Sequence, residues 1–233
     1  MAEINVAAGG SSRSDRFAAA VDRTVARLAR HWLALFNLIV AAFLLLPFLA
    51  PAFMHWHLTG LGRLIYAVYR PTCHQLPERS FFLFGPKAAY SVAELEEANA
   101  IPSGLTLPQL MSLRFPGTPQ IGYKVAICER DVAIYGSILL GGLAFGALRG
   151  RLRRPGGKLW KLPLVVYILA LAPIAVDGTL QLIGLRESTW LLRLVTGGLF
   201  GFATVWFAYP YVEEAMADVA ASPSATHTQR HSE

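Results

Sequence analysis

The run WLALFNLIVAAFLLLPFLAPAF, residues 32–53, contains no ionisable side chain and a single amide, Asn37. Wound as a helix at about 1.5 Å per residue it reaches about 33 Å, enough to cross a hydrocarbon layer of roughly 30 Å. Three more apolar runs follow, at about Val125–Leu148, Leu162–Ile183 and Trp190–Tyr211. Hydrophobic residues form 54% of the 233 and charged residues 15%, with a mean hydropathy of +0.43. That balance excludes an ordinary water-soluble domain. The expected architecture is an all-α membrane protein, a four-transmembrane-helix bundle (residues 32–212) in the cell membrane, multi-pass, with the lipid bilayer as its principal partner.

Outward from the first span, the N-terminal segment 1–31 carries Arg13, Arg16, Arg23, Arg27 and Arg30 with no apolar signal core or cleavage site. Residues 15–30 can form an amphipathic helix on the membrane surface, with Phe17, Val21, Val25 and Leu28 on one side. Pro47 and Pro51 are expected to kink or end the span. His55, Trp56 and His57 read as an interfacial belt, and Leu61 to Tyr69 as a short helix lying half-buried on the surface.

Residues 55–124 form a cap of short helices and loops outside the bilayer. Ser91 and Glu94 have capping-box spacing, Thr106 to Gln109 begins a second short helix, and the Pro/Gly-rich stretches near residues 102 and 117 are turns. The connection from Arg149 to Lys158 is short and strongly basic. With the Arg-rich N-terminus on the same side, the positive-inside rule sets both termini in the cytoplasm and the cap outside. The tail, 213–233, is polar towards its end and is expected to be disordered. The net charge of +6 is concentrated beside the spans, so it reads as a topology signal and no nucleic-acid partner is expected.

Chemistry concentrates in TCHQLPERSFF, residues 72–82, and at the start of the second span, where Cys128-Glu129-Arg130-Asp131 stands. Cys73 and Cys128 are the only cysteines. At an outer membrane boundary they suit a structural disulfide closing the cap onto the second span. Alternatively, Cys73, His74, Cys128 and Asp131 offer two sulfurs, an imidazole and a carboxylate, a donor set suited to zinc. A free Cys73 nucleophile beside His74 is a third option. Asp177 and Arg193 stand at matching depths on either side of the turn at Arg186 and can pair; Gln181 faces the same way, and Thr196 can bond across. Arg79, Arg130, Arg186 and Arg193 can converge on one outer-face cavity suited to an anionic lipid headgroup or small molecule, with Asp177 and Gln181 in the same site. Glu78, Glu129, Asp131, Asp177 and Glu187 can neutralise them. There is no P-loop, dinucleotide fingerprint or serine elbow.

These residues resemble the bacterial and archaeal integral-membrane family known as domain of unknown function 2085. The resemblance is carried by Cys73 through Phe81, by Cys128-Glu129-Arg130 with Tyr135-Gly136, and by Pro173, Asp177-Gly178 and Gln181. Gly184 through Ser188 and Arg193 with Thr196-Gly197 complete it. It implies a small multi-pass protein whose polar motif residues gather on one face, and supplies no activity. Where that family often has Cys-x-Arg-Cys at the second span, this chain has Asp131 in the last position. The connection at 87–117 is also longer than the family's usual one.

The expected function is that of a binding or accessory protein holding a metal ion, a lipid headgroup or a small anion, as a homodimer or within a larger membrane complex. A membrane enzyme acting on a lipid or quinone is the alternative, with His74 or Asp177 carrying a proton and Arg193 stabilising negative charge. A small transporter working as a dimer is the third.

Overall fold

The computed structural model describes residues 13–152, 158–183, 185–186 and 188–221. The expected disorder at residues 222–233, the centre of the basic connection, and Glu187 lie outside the described residues. Among the described residues, four helices are long and apolar enough to cross a membrane: α1 (Arg13–His55), α5 (Glu129–Leu152), α6 (Leu164–Leu182) and α7 (Trp190–Ala221). Between α1 and α5 the chain forms α2 (Thr59–Tyr69), β1 (Ser80–Leu83), α3 (Val92–Glu97), α4 (Leu107–Ser112), β2 (Gly117–Thr118) and β3 (Gly122–Cys128). The chain is an all-α four-helix membrane protein with its cap between the first and second spans.

The helix that carries the first span is longer than expected. α1 is one helix from the basic segment to His55, so residues 15–30 extend the helix of the first span beyond the apolar run instead of forming a separate element, with Phe17, Val21, Val25 and Leu28 exposed along one side. Pro47 and Pro51 are buried inside it and do not end it. A proline at 47 leaves the carbonyl of Phe43 without its helical N–H donor, and the Tyr69 hydroxyl donates to that carbonyl at 2.9 Å. The same repair occurs in α7. Pro210 frees the carbonyl of Trp206, which accepts from the backbone N–H of Leu162 at 3.4 Å. α7 also runs past Tyr211 to Ala221, carrying residues expected in the tail.

α2 is a helix as expected, but it folds back along α1. Gly62 lies against Ala50 and Met54, and Tyr69 reaches Phe43. The cap also contains a small antiparallel sheet in the order β1-β3-β2, where only short helices and loops were expected. Val125, Ala126 and Ile127, read from sequence as the start of the second span, are fully buried strand residues packed with Leu44, Ile65, Tyr69 and Cys73. A short apolar run fits a buried strand as well as a helix, and pairing with β1 decides it here. The expected capping box of Ser91 with Glu94 forms, and the second short helix, expected to begin at Thr106, opens on a capping box of its own with Gln109.

Close approach of α5 to its neighbours depends on small residues. A Cβ added at Gly142 would overlap Asn37 Oδ1 of α1, and one added at Gly201 would overlap Ser137 Oγ. Two polar layers close the bundle. At the cap end, Glu129 and Arg130 engage α7 and α6. At the other end, Arg149 pairs with Glu213 at 3.1 Å, Lys161 with Glu214 at 2.6 Å, and Trp32 donates to Glu213 at 2.8 Å. About 20 residues of α5 separate the layers, or roughly 30 Å, the thickness of a hydrocarbon core.

Candidate functional site

The meeting of the two cysteines follows from the sheet register. β1 lies antiparallel on β3 with Ser80 opposite Cys128, so the segment leaving α2 passes the last residue of β3. Cys73 is anchored by its N–H to the Tyr69 carbonyl at 3.1 Å, which continues the turn of α2. Its Sγ accepts from the Cys128 N–H at 3.3 Å. Cys128 Sγ in turn accepts from the N–H of Asp131, in the first turn of α5, at 3.4 Å. The donor atoms of Cys73, Cys128 and Asp131 all lie within 4.8 Å of one another, and both cysteines are free thiols.

The two sulfurs differ in proton affinity. The Cys128 thiol donating to it holds the Cys73 pKa below its ordinary value, against an opposing contribution from burial. That same hydrogen bond, together with burial and the nearby Asp131, raises the Cys128 pKa well above its ordinary value. Backbone N–H groups at the start of α5 favour negative charge at this point.

His74 does not join this group. It is exposed and lines a separate cavity with Arg70, Gln75 and Lys124. Consecutive residues of a non-helical segment project in different directions, so adjacency in sequence carried His74 away from Cys73's partners. Lys124 is almost wholly buried, donates its Nζ to the Gln75 carbonyl, and has its pKa lowered to about 8 by burial. Tyr66, whose hydroxyl donates to the Lys124 carbonyl at 2.5 Å, has its pKa raised, first by burial and then by Tyr123.

Beside the thiols lies the second constellation, with its pairing rearranged. Asp177 and Arg193 do not pair with each other. Arg130 of α5 forms an ion pair with Asp177, whose Oδ2 also accepts from Gln181 Nε2 at 2.9 Å and Ser188 Oγ at 3.1 Å. Arg193 Nη1 instead donates to Glu129 Oε2 at 2.9 Å and to the Glu78 carbonyl at 3.1 Å. The reason is that the first turn of α5 enters the α6–α7 hairpin, and its consecutive Glu129 and Arg130 each supply a nearer opposite charge. Thr196 bonds back to the Leu192 carbonyl of its own helix instead of bonding across.

Arg79 is half-buried 3.6 Å from Glu78, and burial lowers its pKa. Arg186 is exposed on the turn, and among the described residues no hydrogen bond or ion pair draws it into the cluster. Sequence reasoning named Glu129 and Glu78 only as general counter-charges and gave Ser188 no role. Glu129's position next to Arg130 at a span boundary was the available signal.

A helical bundle of four membrane-crossing segments, closed at one end by a small cap and a buried polar cluster, defines a multi-pass membrane protein. The model of the DUF2085 family, described as a predicted membrane protein, matches residues 120–207. An uncharacterised protein of the archaeon Methanocaldococcus jannaschii is 34% identical over 176 residues, covering 72% of this chain and 84% of that protein. The chain belongs to the DUF2085 family. No solved structure matches it.

Proposed function

We propose that this chain is a membrane-embedded metal-binding protein, with Cys73, Cys128 and Asp131 holding a divalent cation of the zinc type at the outer face of the cell membrane and both termini in the cytoplasm. The observation that carries this reading is the approach of three donor atoms from two distant segments to within 4.8 Å. Around a tetrahedral zinc ion, such donors sit about 3.3–3.8 Å apart, so closure needs side-chain rotations of only about 1 Å. Two thiolates and a carboxylate gathered this closely repel one another unless a cation joins them. A metal replaces those protons, so affinity should rise with pH. Three protein ligands leave a fourth position for water or an exchanging ligand.

The alternative site for an anion at Arg79, Arg130, Arg186 and Arg193 has less support. Arg130 and Arg193 are each spent on an internal carboxylate, and Arg79 lies beside Glu78. Nor is Asp177 poised as a proton carrier, because Arg130, Gln181 and Ser188 all donate to it.

Cobalt titration of the reduced, purified protein tests the reading through the thiolate-to-metal absorption. Wild type should develop a saturable band with one cobalt per chain, displaced by zinc. Cys73→Ser and Cys128→Ser should abolish the band, and Asp131→Asn should weaken binding at least tenfold. A wild-type spectrum without thiolate bands would overturn the proposal.

A further inference from the structure

Arg130 and Arg193 are each paired with a carboxylate of the bundle, but a second group of arginines is not. Between α2 and the loop from Leu113 to Pro116 lies a cavity of about 320 Å³ lined by Arg63, Arg70, Arg114, His74 and Lys124. No carboxylate lines it, and among the described residues no ion pair holds Arg63, Arg70 or Arg114. Three guanidinium groups round one concavity, with no carboxylate among them, present the planar donor forks and positive field that suit an oxyanion. The volume lies at the small end of ligand-binding pockets, room for a headgroup and not for a whole lipid.

The rest of α2 indicates what such a headgroup would carry. At 100° per residue, the helix divides into three faces. Gly62, Ile65 and Tyr69 are buried against α1 and the cap core, and Arg63, Tyr66, Ala67 and Arg70 face the cavity. Leu61, Leu64 and Val68 form an exposed apolar face, at 49%, 59% and 58% exposure. A cationic concavity thus adjoins an apolar strip on the same helix, near the polar layer at the cap end of the bundle. The geometry points to a binding site for an amphiphile with a phosphate or carboxylate headgroup, the oxyanion held by Arg63, Arg70 and Arg114 and the apolar part lying along Leu61, Leu64 and Val68. Tyr66 and Lys124 shape the wall: the Tyr66 hydroxyl bonds the Lys124 carbonyl, and Lys124 Nζ is tied to Gln75. The site is separate from the proposed metal centre and does not depend on it.

Two probes separate a membrane lipid from a free anion. One is native mass spectrometry of the full chain released from nanodiscs of phosphatidylcholine with one-fifth phosphatidylglycerol. The other is inorganic phosphate, titrated against the detergent-solubilised protein by calorimetry. Retention of one phosphatidylglycerol, reduced at least tenfold in Arg70→Gln and in Arg63→Gln/Arg114→Gln, supports the site with a lipid as its source. Phosphate binding with the same dependence on arginine but without retention of phosphatidylglycerol would overturn the amphiphile and leave a site for a soluble anion. Because Arg63 and Arg114 are exposed, their variants should keep wild-type thermal unfolding, which separates lost binding from lost folding. Binding of either probe that is unchanged in folded variants, or no binding of either by wild type, would overturn the inference.

Discussion

Glu129→Gln removes the charge facing Arg193 in the most deeply buried ion pair described, with side-chain exposures of 1% and 7%. The change keeps volume and one acceptor, so packing is nearly preserved and the loss is electrostatic. Breaking such a pair leaves an uncompensated buried cation and costs about 3–5 kcal/mol. Arg193 retains the Glu78 carbonyl at 3.1 Å, which argues for the lower end of that range. At about 2–4 °C per kcal/mol for a chain of this size, the melting midpoint should fall by roughly 6–12 °C for a loss of 3 kcal/mol. The assay is thermal unfolding in detergent for wild type, Glu129→Gln, Arg193→Met and the double variant. Removing both charges should cost at least about 1 kcal/mol less than the two single losses added together, because the orphaned charge is then gone. Strict additivity would refute the assigned pairing. If Asp177 were the true partner of Arg193, Asp177→Asn would show that coupling instead.

Tyr69→Phe keeps the ring against Phe43 but removes the donor to the carbonyl freed by Pro47, so unfolding should cost about 1–2 kcal/mol less; restoring a helical donor with Pro47→Ala should recover part of the loss. Gly142→Ala pushes a methyl group into Asn37 and should destabilise by about 1–3 kcal/mol, with relief in the double variant with Asn37→Ala; a neutral single variant would contradict the α1–α5 approach described. Lys124 titrates at about 8 when folded, against 10.5 ordinarily. Between those values the unfolded chain binds more protons, so stability should rise with pH from about 8 to 10.5 and lose that slope in Lys124→Met, as measured by denaturant unfolding.

The spans were legible because each is a long apolar run whose length matches a bilayer, and the Ser91–Glu94 capping box is a local pattern of four residues. Less legible was anything decided by contacts between distant segments. Pro47 argued for an end to α1, yet the hydroxyl that offsets its lost hydrogen bond comes from Tyr69 on another helix. The Val125–Ile127 strand looked like membrane helix because the strand that pairs with it lies some 45 residues earlier. Asp177 and Arg193 matched in depth on one hairpin, but depth alone cannot reveal the third helix that inserts Glu129 and Arg130. The approach of Cys73 to Cys128 and Asp131 was anticipated from residue type, whereas the departure of His74 into another cavity needed the backbone.

The central claim is tested most directly by the state of the two thiols in protein purified from membranes without added metal or chelator. Elemental analysis should find one zinc-type ion per chain, and intact mass under non-reducing conditions should match two free thiols after metal loss. A protein without metal and two hydrogens lighter, its Cys73 and Cys128 joined as a disulfide, would contradict the account and make that cluster a structural staple.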